Sequence, residues 1–449
     1  MKKTLLTLLL LNIFVNSYAQ LNPIITSWLQ NTTVTARHYV KGNSTAINDA
    51  DLVNVQLVQY DANNVYITTT GLPSYVTGPF LDGNPSIATN QNAIFKMPLN
   101  PVKNSGNPTS TSGGNIGQFI NGVALFDYRD GVAWNNNTMA LCGGPGNSPC
   151  PGGPMATQAW NRDAIVAERG GFDCAKAHPA MGNYHHHQNP SAFNLDLAVI
   201  SNICNLYNAD GLYAIDSTVH SPLLGFAYDG FPIYGAYAYK NIDGTGEIVR
   251  MKSSYALNTG STRALGPNVS TTYPLGYFRE DYHYTTTTPN TPDFLDEHNG
   301  RFCVTPEYPK GIYCYFCTVD KNWNSTYPYV VGPTYYGTIQ AAKVTSVPSG
   351  TSTYSLTTNV SNTKFSDAQV KIFPNPTSDL IIIQLLGLNV EALNLELFDM
   401  NGILVEKTSL LPGSTIAYFD TKTLYSGQYL VRLSDNKSVI VKKVLVTKD

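Results

Sequence analysis

Histidine is the residue type in this chain with the clearest capacity for chemistry. The 449 residues contain eight histidines, and four of these are His178 and the consecutive His185, His186 and His187. Side chains alternate between the two faces of a β-strand, so His185 and His187 share one face, with their backbone positions about 6.5–7 Å apart. Two imidazoles at this spacing can bind one metal ion, and His178 or His220 is the natural third ligand. Imidazole suits zinc and copper, so the sequence predicts a divalent transition-metal site, Zn or Cu.

Acidic and imidazole side chains further along the chain are possible accessory groups for this site. In the functional interpretation, one of them completes the metal site or acts as a general base. In the structural interpretation, the Asp-Gly and Asn-Gly pairs form hairpin turns, and Asp296 caps a turn. Both interpretations stay open for the residues concerned, which are Asp229, Asp281, His283, Asp296, Glu297 and His298.

Other catalytic motifs are absent from the sequence. It contains no Gly-x-Ser-x-Gly elbow, no phosphate-binding glycine loop followed by Lys-Ser/Thr, and no His-Glu-x-x-His pattern. The chain is 43% hydrophobic and 13% charged, with a formal net charge of −3. A nucleic-acid-binding protein would carry a basic excess, so nucleic acid is not an expected partner.

The first 19 residues have the features of a secretory signal peptide. Lys2 and Lys3 give a positive start, an apolar run follows over residues 5–15, and Ser17-Tyr18-Ala19 fits a cleavage site. The run is too short to span a bilayer, and no other stretch reaches 18 apolar residues. We therefore predict export through the periplasm and a mature chain that does not span a membrane, secreted or held at the outer cell surface.

The seven cysteines lie in the middle of the chain. An exported protein meets oxidising conditions, so disulfides are expected. Cys142 and Cys150 flank the loop GGPGNSP and should pair, and Cys174 with Cys204 is the second expected bridge. The other three cysteines allow one bridge and leave one thiol unpaired: Cys303, Cys314 and Cys317.

The elements that must position these residues are mostly strands. Residues 20–343 are predicted to form one large, loop-rich β domain, with helical patterns only over 156–168 and 193–206. NGVALF at 121–126 and DGFPIY at 229–234 both resemble a turn that leads into a strand, which indicates a repeated hairpin unit. Eleven of the 20 residues over 344–363 are Ser or Thr and none is charged, so 344–368 is predicted to be a linker.

Residues 369–449 are predicted to form a small antiparallel β-sandwich, because seven short strand patterns alternate with turn signals. The segments KIFPNPTSD, LFDMNGILV, LYSGQYLVRL and the final KKVLV resemble the type A C-terminal sorting domain of the type IX secretion system of Bacteroidota. The resemblance implies the type IX secretion machinery as a partner and delivery across the outer membrane. Since this region contains no His and no Cys, it is expected to direct transport and not to catalyse a reaction.

A second resemblance covers residues 50–335 in separated blocks. GNYHHHQNP at 182–190, HSPLLGFAYDGFPIYGAY at 220–237, LDEHNGRF at 295–302, YPYVVG at 327–332 and NGVALF resemble the YHYH family of exported bacterial proteins. The Tyr-His-Tyr-His signature falls on residues 184–187, with His186 in place of the second Tyr. His185 and His187, which share a strand face, match the two histidines of the signature. The resemblance implies that the chain is a member of this family, for which no activity is settled.

Three functional interpretations follow from these patterns. The first is a secreted or surface protein with a His-built transition-metal site, delivered by the type IX system. The second is a metal-dependent hydrolase or oxidoreductase that uses the same site, with Asp229 or Glu297 as the base. The third is a glycan-binding or adhesive surface module, for which the 29 Tyr residues supply stacking surface. The sequence does not decide whether the protein is an enzyme.

Overall fold

The structure of the protein is a computed structural model that describes residues 21–81, 87–153, 158–191, 204, 211–285, 292–355, 369–386, 392–435 and 439–448. Strands dominate its regular structure, and the predicted mainly β fold with short helices and a C-terminal antiparallel sandwich is confirmed. The expected signal peptide over 1–19 and, apart from Cys204, the expected helix over 193–206 lie outside the described residues. Within the described ranges, no helix has the length and apolar character needed to cross a membrane.

Short elements succeed one another along the chain. The α-helices in the described ranges are α1 Pro23–Thr26 and α2 Ala164–Glu168, and α2 falls within the predicted helical segment 156–168. The strands before the C-terminal region are β1 Thr35–Val40, β2 Asn43–Leu52, β3 Val55–Tyr60, β4 Asn64–Thr69, β5 Ala93–Pro98, β6 Thr109–Ser110, β7 Asn115–Phe119, β8 Ala124–Phe126, β9 Arg129–Asn135, β10 Ala140–Cys142, β11 Asn161–Asp163, β12 Ala177–Ala180, β13 Asn183–His186, β14 Leu223–Ala227, β15 Pro232–Tyr234, β16 Tyr237–Tyr239, β17 Ile248–Arg250, β18 Tyr255–Leu257, β19 Tyr282–Tyr284, β20 Gly300–Cys303, β21 Ile312–Phe316, β22 Thr334–Tyr335, β23 Ala342–Val344 and β24 Ser352–Tyr354.

Two sheets form the centre of the molecule. One has eight strands in the order β12-β13-β8-β7-β14-β15-β21-β20, and the other has five in the order β23-β5-β4-β3-β24. Apolar side chains of both sheets, among them Val58 and Ile67 of the smaller and Phe226 and Phe316 of the larger, form one buried cluster. A second buried cluster that includes Ile233 and Tyr315 packs on the other face of the eight-stranded sheet. The eight-stranded sheet is therefore covered on both faces.

The eight-stranded sheet consists of two halves with the same topology. Each half starts with an antiparallel hairpin, β7–β8 in the first and β14–β15 in the second. A later strand then pairs in parallel with the second hairpin strand, β13 with β8 and β21 with β15. The outermost strands, β12 and β20, complete the halves in antiparallel pairing. The halves meet where β7 pairs with β14, so the expected repeated hairpin belongs to a repeated four-strand unit.

Side-chain hydrogen bonds repeat in the two halves. Asp173 Oδ2 accepts from Tyr184 Oη at 2.8 Å, and its Oδ1 accepts from two main-chain amides two and four residues later. Asp296 accepts from Tyr313 Oη at 2.9 Å and from the amides at the same two offsets. Through this match and the strand registers, Cys314 takes the position of His185, and Arg301 takes that of His178.

The C-terminal region is a two-sheet sandwich. Its sheets have the orders β25-β26-β29 and β28-β27-β30-β31, and a separate apolar cluster fills the space between them. The seven strands match the seven predicted from the sequence: β25 Val370–Phe373, β26 Leu380–Leu385, β27 Leu393–Asp399, β28 Leu404–Leu410, β29 Ile416–Asp420, β30 Gly427–Ser434 and β31 Val439–Val446.

The expected linker over 344–368 differs in part from the structure. β23 pairs with β5, and β24 pairs with β3, so the segment that ends at Tyr354 belongs to both edges of the five-stranded sheet. Thr and Tyr favour strands, and edge strands gain main-chain hydrogen bonds that offset the cost of ordering a polar segment. Residues 356–368 lie outside the described ranges, and the division into a β domain, a linker and a sorting domain stays a prediction.

Both expected disulfides are present, Cys142–Cys150 and Cys174–Cys204. The expected third bridge is not formed, because Cys303, Cys314 and Cys317 are all buried free thiols. In the strand register Cys303 lies opposite Ile312 and Cys314 lies opposite Arg301, although a side-chain hydrogen bond joins Cys303 and Cys314. No two of these thiols are therefore direct cross-strand partners.

Candidate functional site

The site is built on the outer hairpin of the first half of the eight-stranded sheet. His178 on β12 and His185 on β13 lie directly opposite each other in the antiparallel pair. His187 follows β13 and, because of strand alternation, returns to the face of His185. Ring nitrogens of the three buried histidines all lie within 4.8 Å of one another. The structure thus brings together the two histidines expected to share a face and, as the third, His178.

Main-chain oxygens fix the orientation of two of these rings. His185 Nδ1 lies 2.8 Å from the Asn183 carbonyl oxygen, and His187 Nδ1 lies 2.6 Å from that of Asp127. A carbonyl oxygen can only accept, so each Nδ1 carries the proton and donates it. The Nε2 atoms of His185 and His187 then hold lone pairs, and they face each other at 3.1 Å.

Aromatic rings enclose the three imidazoles. Phe126 stacks on His185 with 3.8 Å between ring centroids, and Phe172 packs edge-on against His178 at 5.0 Å. Burial is the main cause that lowers the pKa of His185 well below its usual value, and the neighbouring His187 and His178 lower it further. Low solvent access keeps the His185 ring neutral, the form that binds metal ions.

Glu168 belongs to the site, although the sequence did not indicate it. Its Oε2 lies 3.2 Å from His178 Nε2 and 3.3 Å from His187 Nε2. Burial opposes ionisation of this carboxyl group and is the largest single influence on its pKa, but the side-chain contacts with His178 and His187 together outweigh burial and hold the pKa below the usual range. The side chain keeps 23% of its surface exposed, but Oε2, the oxygen that faces the histidines, is buried.

Helix α2 carries Glu168 to the histidines. Asp163 caps the helix, because its side chain accepts hydrogen bonds from the amides of Ile165 and Val166. Glu168 is the last residue of α2 and ends the helical segment expected from the sequence. Only the tertiary fold places this helix end against β12 and β13, so no local pattern could have identified Glu168.

His186 faces away from the three histidines, as strand alternation predicts. Its Nε2 lies 2.8 Å from Tyr75 Oη, and its ring meets the edge of Phe119 with 5.5 Å between centroids. Burial, reinforced by the nearby charge of Lys176, lowers the pKa of His186 to about 3. His186 is therefore a neutral core residue on the opposite face of the sheet.

His220, the alternative third ligand, lies in an aromatic environment. Its ring centroid is 5.0 Å from that of Tyr239 and 5.2 Å from that of Tyr234. Nδ1 donates to the Ser221 carbonyl oxygen at 2.8 Å, and burial lowers the pKa of the ring to about 4. It is not part of the His178, His185 and His187 cluster.

The expected accessory carboxylates have structural partners of their own. Asp229 accepts from Tyr315 Oη at 2.6 Å and from the Gly337 amide at 2.8 Å, and burial raises its pKa to about 6. Asp281 holds Arg263 through two hydrogen bonds, of 2.6 and 2.8 Å. Together with the turn formed by Asp296, these contacts favour the structural interpretation for all three carboxylates.

The remaining expected accessory groups also have other contacts. His283 Nδ1 lies 2.7 Å from Asn258 Oδ1 at the surface. His298 Nδ1 lies 2.7 Å from Thr334 Oγ1, and its Nε2 is 3.7 Å from Glu297. None of these three residues belongs to the described histidine cluster.

Comparison with known proteins assigns both regions of the chain. The profile of the secretion system C-terminal sorting domain matches residues 371–447. This domain of the type IX system indicates export, followed by secretion or attachment to the cell surface, and handling by the type IX machinery. This match follows the match of the central region along the chain, in the order expected from the sequence.

No curated protein matches the chain. One similar solved structure is a DUF3244 family protein with an immunoglobulin-like β-sandwich fold from Bacteroides vulgatus. It is 12% identical, with a TM-score of 0.16, and the match covers 18% of this chain and 85% of that chain.

The central region has a match of its own. The profile described as YHYH protein covers residues 94–332, which include the eight-stranded sheet and every residue of the site. Tyr184 and the three histidines that follow it, the residues that resemble the Tyr-His-Tyr-His signature, lie within this match. Since the match spans more than half of the chain, the protein belongs to the YHYH protein family.

Proposed function

We propose that this exported protein binds one divalent transition-metal ion, Zn or Cu, through His178, His185 and His187, with Glu168 at the same site. The observation that carries the proposal is the 3.1 Å separation of His185 Nε2 and His187 Nε2. Both Nδ1 atoms donate to carbonyl oxygens, so the two lone pairs repel unless a proton or a metal ion lies between them. Such second contacts are typical of metal-binding histidines.

Distances among the four side chains support a single ion. Ligand atoms of a tetrahedral zinc ion lie about 2.0–2.1 Å from the metal and therefore about 3.3 Å from one another. The measured pairs are 3.1 Å for His185 with His187, 3.2 Å for His178 with Glu168, and 3.3 Å for His187 with Glu168. The ligand atoms of the three histidines lie up to 4.8 Å apart, so the rings would have to move closer together to reach metal-bonding geometry.

The internal repeat supports a role for the histidines beyond folding. The Asp–Tyr hydrogen bond recurs in both halves of the sheet, through Asp173 and Tyr184 and through Asp296 and Tyr313. Arg301 and Cys314 stand at the positions equivalent to His178 and His185. The repeated framework therefore folds without histidine at these positions, and a structural requirement does not explain their presence in the first half.

A metal-dependent hydrolase or oxidoreductase is the second candidate, and Glu168 is the observation that favours it. Asp229 and Glu297, the bases first considered, contact other groups. The pKa of Glu168 is held below its usual range, and its Oε2 lies next to His178 and His187, so it can serve as a fourth ligand or as a base for metal-bound water. Substitution of Glu168 by Gln separates the roles: loss of zinc affinity indicates a ligand, and retained affinity indicates a base.

Metal analysis of the mature protein without a His tag tests the proposal. We expect about one zinc or copper ion per chain, measured by mass spectrometry after equilibration with each metal and removal of free ions. His187→Ala should abolish stoichiometric binding. Two control variants should keep it: His283→Ala removes an exposed imidazole, and His186→Phe changes the opposite strand face.

Two results would contradict the proposal. If the unmodified protein binds no metal at micromolar free zinc and copper, the proposed site does not exist. Equal loss of metal in His187→Ala and His283→Ala would indicate non-specific binding by surface histidines. Circular dichroism of each variant establishes that the fold is intact before metal content is compared.

A further inference from the structure

A cavity of about 270 Å³ lies between the two large sheets, next to the histidine site. Gln118, Ala124 and Asn183 line it from the eight-stranded sheet, and Phe95 and Lys343 line it from the five-stranded sheet. Ala124 pairs with His185, and Asn183 precedes His185 by two residues, so the cavity and the histidines share one face of the sheet. Its volume is close to the lower end of small-ligand pockets, about 300–1,000 Å³.

The lining has the chemistry of a site for a polar, uncharged or acidic ligand. Amide side chains of Gln91, Asn115, Gln118 and Asn183 contribute, and none of the lining residues is Asp or Glu. Lys343 contributes a positive charge at the exposed end. A cationic ligand would have no counter-ion here, whereas an acidic group would be attracted to Lys343.

Two aromatic rings supply the apolar part of the wall. Phe95 and Tyr228 both line the cavity, with 6.3 Å between their ring centroids. Flat apolar surfaces combined with a few amides and one charge are typical of pockets that orient a small molecule. This mixture matches a sugar ring, which presents hydroxyl groups at its edge and C–H groups on its faces.

Gln118 provides an independent sign of a missing partner. The residue is 99% buried, and its Nε2 donates to the Gly122 carbonyl oxygen. That bond fixes the orientation of the amide, and Oε1 has no hydrogen-bond partner among the described residues. A buried acceptor without a donor raises the free energy of the folded protein. A ligand hydroxyl group that donates to Oε1 would therefore contribute more binding free energy than an exposed hydrogen bond does.

We propose that this cavity binds one sugar-sized, polyhydroxylated ligand, with an acidic sugar preferred because Lys343 matches its carboxylate. Gln118 Oε1 accepts a hydroxyl hydrogen bond after a small shift of its side chain, and the Phe95 and Tyr228 rings cover the ligand. The site does not depend on a metal ion at the histidines. Ligand binding at this cavity is therefore tested independently of the proposed metal binding.

The test is a titration of the full chain by saturation-transfer NMR and calorimetry, with and without zinc. The probes are glucuronate, glucose and glucosamine. We expect glucuronate to bind most tightly and glucosamine, which is cationic, to bind most weakly. The same order should appear in metal-free protein.

Two variants locate the binding. Gln118→Leu keeps the side-chain size but removes the acceptor, together with the Nε2 donor to the Gly122 carbonyl oxygen, and it should weaken binding of glucuronate and glucose about tenfold. Lys343→Met lies at the surface and should weaken glucuronate binding about threefold while leaving glucose unchanged. Lys310→Met removes an exposed lysine elsewhere and is the matched control, with no expected effect.

The proposal is overturned if none of the sugars binds the folded protein at millimolar concentration. It is also overturned if Lys343→Met and Lys310→Met behave alike. A Gln118→Leu variant that fails to fold leaves the Lys343 comparison decisive.

Discussion

At the scale of single residues, His186 differs in its hydrogen-bond partner from the equivalent residue in the other half of the sheet. The equivalent residue in the other half of the sheet is Tyr315, which donates to Asp229 Oδ2 at 2.6 Å. His186 instead bonds to Tyr75 Oη at 2.8 Å. Each half thus gives this position a different hydrogen-bond partner, on the face away from the proposed metal site.

His220 leads to a prediction about pH. Burial lowers the pKa of this ring to about 4, whereas the unfolded chain has a value of about 6.5. Between these values the unfolded chain binds a proton that the folded chain excludes, so stability falls as the pH falls. In His220→Phe this loss is absent, and the drop in unfolding free energy between pH 7.5 and pH 5 should be smaller by about 2 kcal/mol.

Urea unfolding at the two pH values measures this difference. His283→Ala is the control, because that imidazole is exposed and should leave the pH dependence of the unmodified protein in place. Identical pH dependence in His220→Phe and the unmodified protein would show that His220 is not excluded from protonation.

At the scale of elements, the site depends on the meeting of a hairpin and a short helix. Strand alternation predicted that His185 and His187 share a face and that His186 faces away. The choice of His178 over His220 required the β12–β13 register, which places His178 opposite His185. Glu168 could not be predicted, because its position depends on how α2 packs against the sheet. The same limit applies to the thiols, whose pairing depends on the register of β20 and β21.

The cap of α2 gives a prediction at this scale. Asp163 accepts from the Ile165 amide at 2.8 Å and from Tyr329 Oη at 2.7 Å. Asp163→Ala should cost about 1–2 kcal/mol of stability through loss of the cap. Since α2 positions Glu168, the same variant should also weaken zinc binding.

Asp163→Asn is the matched variant, because asparagine is an equally good helix cap. It keeps the cap, but its amide nitrogen cannot accept the hydrogen bond from Tyr329 Oη. It should therefore retain the zinc affinity and lose less stability than Asp163→Ala, measured by competitive titration with a chelator and by urea unfolding. If Asp163→Ala lowers stability without any change in zinc affinity, the helix end does not contribute to the site.

At the scale of the whole molecule, the C-terminal sandwich contacts the rest of the protein. Phe373, Ile382 and Ile416 of the sandwich form a buried cluster with Ala214. Arg37 Nη2 also donates to Ser414 Oγ at 3.0 Å. The sorting domain therefore packs against the region that carries the site, and the chain between them passes through the edge strand β24.

This arrangement predicts where a protease first cuts. Residues 352–354 pair with β3, whereas 356–368 have the polar, Ser/Thr/Asn-rich composition of a linker. Limited proteolysis should therefore begin within 356–368, because main-chain pairing protects the segment before it. Mass spectrometry of the first fragments identifies the position. A first cut within 344–354 or 182–330 would contradict this division of the chain.

The Cys174–Cys204 bridge has a consequence for when and where the protein would acquire the proposed metal ion. The bridge spans 30 residues of sequence, and this closed loop contains all three histidines of the proposed site. Such bridges form after a chain leaves the reducing cytoplasm. The loop is then closed only during export, so the proposed ion would be bound in the periplasm or outside the cell and would not come from the metal supply that the cytoplasm regulates. Protein retained inside the cell, with this bridge reduced, is expected to be empty of metal.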